Sequence, residues 1–379
     1  MPKITPRRRL LNRNEIVQGP SPAALAALRN FPAEEANFYY DGYYGSALAK
    51  ELSKKFRIPD DRIIVGYGAE NILDAIFDRL DPKKDAVLVN ELHFDYYHIR
   101  LIARGVRMHE FHLIEGEKDF RFDIDDCIAK IRAFRPKLVL VTSPNNPTGN
   151  VLSARDLKRI LAAAPKTSVV AVDEAYYGFD DRYEEKEFLS LLRRHGNLMF
   201  IRTFSKLYAL AGLRIGYALC GKDARKIIGH HGRHLGGSRI LEAVAVAALH
   251  PSSSTYYRNL AKEISLERDR AIAAVNELSH FKAFDSRANL FAVKVSPRAK
   301  AFLEKEMART SPLVSKIYAP TILRVSVAAR KHMDAFIEMM RRADRAAGKA
   351  REAATKTKKR MPPKKTRAPK RPRTARYKA

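Results

Sequence analysis

Short, unbroken apolar runs recur between residues 62 and 220, and helical stretches separate several of them. The runs are "RIIVGYG" (62–68), "AVLVN" (86–90), "KLVLVTS" (137–143), "SVVAVDE" (168–174), "LMFIRTFS" (198–205) and "RIGYALC" (214–220). A strand apolar on both sides must be covered on both sides, which is the habit of parallel sheets. Between the runs, "AENILDAIFDRL" places Ile72, Leu73, Ile76, Phe77 and Leu80 at helical spacing, and "SARDLKRILAAA" (153–164) is also helix-like. The pattern predicts an α/β fold whose large domain is a mostly parallel sheet covered by helices. After about residue 255 a long helical stretch precedes "NLFAVKV", "TILRVSV" and a final helix, which predicts a smaller α+β domain. There is no internal repeat.

Ligands of such sheets bind at the carboxyl ends of the strands, and here the runs end in "GYGAE", "SPNNPTG", "DEAYYGF" and "TFSK". Each ending is a weak signal alone. "GYGAE" is a Gly-rich strand-to-helix turn whose freed N–H groups, on Ala69 and Glu70, suit a phosphate. Asp173 ends an apolar strand, where a carboxylate is costly unless paired or well hydrogen-bonded; a helix cap or an ion pair explains it as well as a ligand does. Lys206, in "RTFSKLYALAGLRIGY", is either a surface lysine with its stem on an apolar patch or an amine kept available to form an imine. Together the endings ask for one chemistry. A cofactor aldehyde needs an amine (Lys206), and a protonated ring nitrogen needs a buried anion (Asp173). A phenolate oxygen needs donors (Asn146, Tyr176), and a phosphate needs Arg214, Thr203, Ser205 and the two amides. That set describes pyridoxal 5'-phosphate (PLP).

With "NNPTG", "DEAY" and "TFSK" in order, and Arg214 eight residues after the lysine, the sequence resembles the class I/II (fold-type I) PLP-dependent aminotransferases. It is most similar to histidinol-phosphate aminotransferases, from "LNRNE" near residue 11 to "LRVSV" near 327. The resemblance implies an N-terminal arm over 1–35 joining the small domain, a PLP-binding domain over 36–254 and a small domain over 255–347, and it leaves out a basic tail over 348–379 that composition reads as disordered. It also implies the roles. Lys206 holds PLP as a Schiff base and serves as the base at Cα, Asp173 pairs with the ring nitrogen, and Asn146 and Tyr176 bond the phenolate oxygen. Arg214, Thr203, Ser205 and the Ala69 and Glu70 amides bind the phosphate, and Phe94 of "HFDYY" stacks on the ring. Tyr39 of "NFYYDG" reaches the neighbouring subunit's phosphate, so a homodimer is implied. Arg324, with Asn146, grips the substrate carboxylate.

The implied reaction moves an amino group between an amino acid or amino-alcohol phosphate and a 2-oxo acid. Three departures bear on the substrate. The chain reads "NRNEIVQGPS" where relatives have Asn-Glu-Asn-Pro, and "HHGRHLGGSR" where they tend to carry a Pro-aromatic stretch. Lys316 stands where histidinol-phosphate enzymes place a phosphate-binding arginine, and lysine lacks the two-pronged fork. Two other readings remain: a decarboxylase of the threonine-phosphate type on the same fold, and a non-catalytic PLP fold that binds a polyanion. An arginine at 324 holding the carboxylate in the ring plane favours proton loss over decarboxylation.

The net charge of +29 is uneven. From Lys349 onward, 14 Lys and Arg face one acid, and the Pro-rich, aperiodic composition predicts a disordered tail suited to salt-sensitive contact with nucleic acid or another polyanion. Cys127 and Cys220 lack CxxC spacing, which points to a reducing, cytoplasmic setting, and no run approaches the roughly 20 apolar residues of a membrane span. Metal sites are not expected. "HEFH" (109–112) and "HHGRH" (230–234) lack ligand spacing, and the acids of "RFDIDDC" read as a helix start.

Overall fold

The computed structural model describes residues 12–37, 46–228, 238–310 and 315–360. Seven strands form the main sheet: β1 (Ile63–Gly66), β2 (Ala86–Asn90), β3 (Arg107–Phe111), β6 (Leu138–Thr142), β7 (Val169–Asp173), β8 (Leu198–Thr203) and β9 (Gly216–Cys220). A hairpin of β4 (Leu113–Glu115) and β5 (Phe120–Phe122) stands beside them. The order is β1-β9-β8-β7-β6-β2-β3. The pairs from β3 through β8 are parallel, while β9 is antiparallel to both β8 and β1. The reversal has a simple cause. Parallel strands are usually joined through a crossover helix, whereas the twelve residues between β8 and β9 hold only a short turn (Ala211–Leu213).

The unbroken apolar runs behave as their composition requires. Side chains alternate across the sheet, so Val139, Val141, Val170 and Val172 enter one apolar layer while Leu138, Leu140, Ala171 and Met199 enter the other. Helices α3 (Gly68–Phe77) and α4 (Asp95–Ala103) cover the second layer. Helices α2 (Ala47–Phe56), α5 (Ile124–Phe134), α6 (Ala154–Ala163) and α7 (Glu185–Arg194) cover the first. Each fully buried Val, Leu or Ile contributes about 1.5–3 kcal/mol, enough for the strand ends to serve as a fixed platform. Capping sharpens the helix starts: Asp123 accepts from the Asp126 amide at the head of α5, the role expected for the acids of that stretch.

The second sheet is wholly antiparallel, in the order β10 (Phe281–Ala283), β11 (Leu290–Val295), β13 (Ile322–Ser326), β12 (Ser315–Ala319). Helices α10 (Pro297–Thr310) and α11 (Arg330–Arg360) pack with it, and α9 (Pro251–Asn276) runs beneath after α8 (Arg239–Leu249). The N-terminal segment is bound to this part. The Ser21 N–H donates to the Tyr257 hydroxyl at 3.0 Å, Ser21 caps α1 (Pro22–Arg29), and Asn289 Nδ2 donates to the Asn14 carbonyl at 3.0 Å.

One boundary differs from expectation. Composition predicts a tail from residue 348, but α11 continues to Arg360 because Ala, Lys, Arg and Glu favour helix and the first proline pair comes only at 362–363. Residues 361–379, the "HHGRH" segment and Tyr39 lie outside the described residues. Among the described residues, no helix is long and apolar enough to cross a membrane, and no cluster of three metal-ligating side chains occurs. Both cysteines are buried, and burial pushes each thiol up to about 12.

Candidate active site

At the carboxyl end of β7 two adjacent carboxylates meet different fates. Glu174 is buried against Arg202, whose Nε donates to it at 2.7 Å and whose guanidinium lies 3.6 Å from the Tyr177 ring centre. Asp173 is equally buried, yet among the described residues no cation pairs with it. Its Oδ2 accepts from the Tyr97 hydroxyl at 2.5 Å and its Oδ1 from the Ala175 N–H at 3.0 Å. Burial pushes its carboxyl up to about 6, and those two bonds only partly offset this. A buried carboxylate of this kind has capacity for one more donor, and a positive one removes the penalty of burial.

Lys206 follows β8 by three residues. Its ammonium lies 5.7 Å from the Tyr176 ring centre and donates to the carbonyl of Arg13 at 2.8 Å. Part of the side chain still faces the cleft, but its head is enclosed. Burial, and then the nearby charge of Arg324, push its pKa down to about 8. Lys206 is therefore partly neutral near neutral pH, as a nucleophile or base must be.

A third group forms a cup for an anion. Gly68 opens α3 at φ +75°, and a Cβ there would lie 2.7 Å from Arg214 Nη2. A Cβ on Gly216 would meet the Gly68 carbonyl carbon at 2.4 Å, so both positions need glycine for the turn to lie close to β9. The Ala69 and Glu70 amides belong to the first turn of α3, where N–H groups have no intrahelical partner. Arg214 Nη1 reaches Ser205 Oγ at 3.3 Å, and its Nη2 pairs with the Glu70 carboxylate at 3.0 Å. Thr203, expected among the phosphate ligands, has its hydroxyl occupied within the turn by the Ile215 carbonyl and by Ser205. It braces Ser205, the hydroxyl beside Arg214.

The opposite wall comes from the second sheet and the N-terminal segment. Arg324, on β13, donates through Nη1 to Asn146 Oδ1 at 3.3 Å and through Nη2 to the Asn12 carbonyl, and its Nε is buried with no partner among the described residues. With Oδ1 so occupied, Asn146 is left to donate through its amide nitrogen. The Tyr176 hydroxyl accepts from Asn14 Nδ2 at 2.8 Å and is pushed up to about 12 by burial, so it too is a donor at neutral pH. Phe94 sits at the head of α4, half-buried and stacked on Tyr96. Lys316, on β12, is paired with Asp95 at 3.1 Å.

Most of the expected residues thus converge on one cleft. Sequence reasoning missed four others. Tyr97 lies one helical turn beyond Phe94, a spacing that was legible in "HFDYY". Asp95 and Tyr318 flank residues already singled out. Asn14 lies in "NRNE", a segment already tied to the substrate, but its partners Tyr176 and Ser326 are far along the chain and the sequence gave no sign of them.

The donor set fits PLP. It provides one amine of lowered pKa, one buried carboxylate without a protein cation, two donors for a phenolic oxygen, and a glycine-lined anion cup with an arginine. Comparison with known proteins agrees. Residues 10–338 match the family model described as aminotransferase class I and II. The chain is 30% identical over 334 residues to an aromatic amino acid aminotransferase of Mycobacterium sp. (strain KMS), covering 86% of this chain and 90% of that one. It is 30% identical over 330 residues to a histidinol-phosphate aminotransferase of Shouchella clausii (strain KSM-K16), covering 86% of each. The fold superposes on the crystal structure of histidinol-phosphate aminotransferase from Sinorhizobium meliloti in complex with pyridoxal-5'-phosphate. The TM-score is 0.74 at 24% identity, over 88% of this chain and 90% of that one.

Proposed function

Since the chain belongs to the class I and II aminotransferase family and is a PLP-dependent aminotransferase, we propose that Lys206 and Asp173 are its catalytic pair, acting on an amino acid or an amino-alcohol phosphate with a 2-oxo acid as acceptor. The observation that carries this reading is the buried Asp173, left without a cation beside a neighbour that has one. Bound PLP supplies an aldehyde that condenses with amines and a ring that draws electrons from the carbon bearing the amine.

The chain's own residues do the rest. Asp173 keeps a proton on the ring nitrogen, and Tyr97 and the Ala175 amide hold the carboxylate in place. Asn146 and Tyr176 donate to the phenolic oxygen. Ser205, Arg214 and the Ala69 and Glu70 amides hold the phosphate, which must share Arg214 with Glu70. Phe94, half-buried at the head of α4, would pack against the ring. Lys206 is the amine that would hold the cofactor's aldehyde, and its neutral form is the base that would take the proton from the substrate's Cα and return it. Its lowered pKa supports both tasks. Arg324 would hold the substrate's acidic group, the carboxylate of an amino acid or the phosphate of an amino-alcohol phosphate, and for that the Asn12 carbonyl must give way on Nη2.

A homodimer is part of the proposal. Tyr67, Ile99 and Ile102 are exposed at 46%, 61% and 60%, on or beside α3 and α4, and a second copy would cover them. The test of function is an absorbance spectrum. Added PLP should give a visible band in the native chain that is missing in Lys206→Ala, and an amino donor should bleach it with release of a 2-oxo acid. Carbon dioxide in place of the oxo acid would mean a decarboxylase instead.

A further inference from the structure

Thr142 and Asp173 end the neighbouring parallel strands β6 and β7 and are register partners there, so their side chains leave the same face of the main sheet. Tyr97 comes down on both from α4. Its hydroxyl lies 2.5 Å from Asp173 Oδ2 and 3.0 Å from Thr142 Oγ1. Three rings enclose the phenol. His93 stacks on it at 5.7 Å between centres, and Phe77 and Phe94 meet it edge-on at 6.4 and 5.8 Å. The whole side chain is buried, so packing as well as the hydroxyl fixes where it stands.

The protons available decide which way this row of groups points. An ionised carboxylate only accepts. Tyr97 then donates to Asp173, Thr142 donates to Tyr97, and every proton has an acceptor. A protonated Asp173 reverses the order, with Asp173 donating to Tyr97 and Tyr97 to Thr142. The Thr142 hydroxyl proton is then left with no acceptor among the described residues, and a buried donor cannot recover that bond from water. The row thus favours the ionised acid, against its surroundings. Burial pushes Asp173 up, and the carboxylates of Glu174 and, from α3, Glu70 add to this; the Tyr97 and Ala175 bonds oppose it. Tyr97 is itself raised well above the usual tyrosine range by burial and then by the Asp173 charge, so it keeps the proton it donates.

We propose that Tyr97 and Thr142 are positioning residues whose one-way hydroxyl chain keeps Asp173 ionised in its buried site, ready to hold a proton on the cofactor's ring nitrogen. The inference rests on the role given to Asp173 above and extends it to the two hydroxyls behind that carboxylate.

The test reads Asp173 directly. In the full-length chain before PLP is added, infrared difference spectroscopy follows the carboxyl band of Asp173 with pH, identified as the band missing in Asp173→Asn. Tyr97→Phe keeps the ring and its packing and should move the midpoint upward by about one to two pH units, the scale of a hydrogen bond to a charged group. Thr142→Val should move it the same way by less, because a phenol that accepts a bond is a stronger donor, and Thr142→Ser should restore it. With PLP added, the pH below which the cofactor's gain in melting temperature shrinks should rise in step. A merely structural role for Tyr97 would lower the melting temperature of the Phe variant and leave the midpoint in place. An unmoved midpoint overturns the proposal, and so does one that falls, since the chain would then run the other way. The titration needs no turnover, so the two readings fail separately. If the midpoints move as stated and Asp173→Asn still turns over at the native rate, the role given to Asp173 falls and the chain that ionises it stands.

Discussion

The floor of the cleft and its far wall are built differently. The floor is a set of strand ends and turns on one sheet: Asp173, Ser205, Lys206 and Arg214 follow β7 and β8 within about forty positions of sequence. Its polar groups are braced locally, Asp173 by Tyr97 and the Ala175 amide, Ser205 by Thr203. The wall joins β12 and β13 to residues 12–14, with Asn14 bonded to Ser326 across 312 positions. Arg324 keeps a buried Nε without a partner among the described residues, and its Nη2 is spent on a main-chain carbonyl. A floor so braced suits a cofactor that stays. A wall with spare donors and an exchangeable contact suits substrates that come and go.

The sharpest way to break this contrast is at the floor. Lys206→Ala should lower turnover by about 10⁴-fold, since both the amine and the base are lost, as read by steady-state rates on PLP-loaded protein. Asp173→Asn should cost about 10²–10³-fold in kcat with little change in melting temperature, because burial already favours the neutral form of that side chain. Its neighbour should do the reverse. Glu174→Gln removes the nearer carboxylate from the buried Arg202, leaving Glu185 at 3.4 Å, and should cost about 1.5–3 kcal/mol of stability, measured by chemical unfolding. If the two variants behaved alike, the assignment of separate roles would be wrong.

The wall should yield smaller effects. Arg324→Lys keeps the charge and loses the fork; the expectation is a rise in KM of about tenfold with kcat less affected. Asn14→Ala removes the bond it donates to Tyr176 and the one it accepts from Ser326, each worth about 1 kcal/mol; only the first reaches the cleft, so kcat/KM should change by only a few-fold. An effect as large as that of Asp173→Asn would move Asn14 from wall to floor.

Proton linkage tests the floor independently. Lys206 is held down to about 8, so the rate of PLP attachment should climb with pH up to about 8 and then level. A lysine of ordinary pKa would keep gaining well beyond that. Asp173 is held up to about 6 before the cofactor binds, and a ring N–H lowers it. The gain in melting temperature on adding PLP should therefore be full above pH 6 and shrink as pH falls below it.

The sequence alone determined the large sheet and its parallel core, and it pointed to the floor residues. Apolar runs announce strands, and the ligand groups sit at their ends, within a few residues of the pattern that places them. It also carried the resemblance that separates Lys206 from an ordinary surface lysine. It could not determine that β9 would run antiparallel, that Thr203 would turn its hydroxyl inward, or that α11 would continue to Arg360. Least of all could it place Asn14 on Tyr176, or Asp95 on Lys316 across 221 positions. Such contacts depend on how two sheets and an N-terminal segment meet, and periodicity, which registers neighbours a few residues apart, carries no record of that meeting.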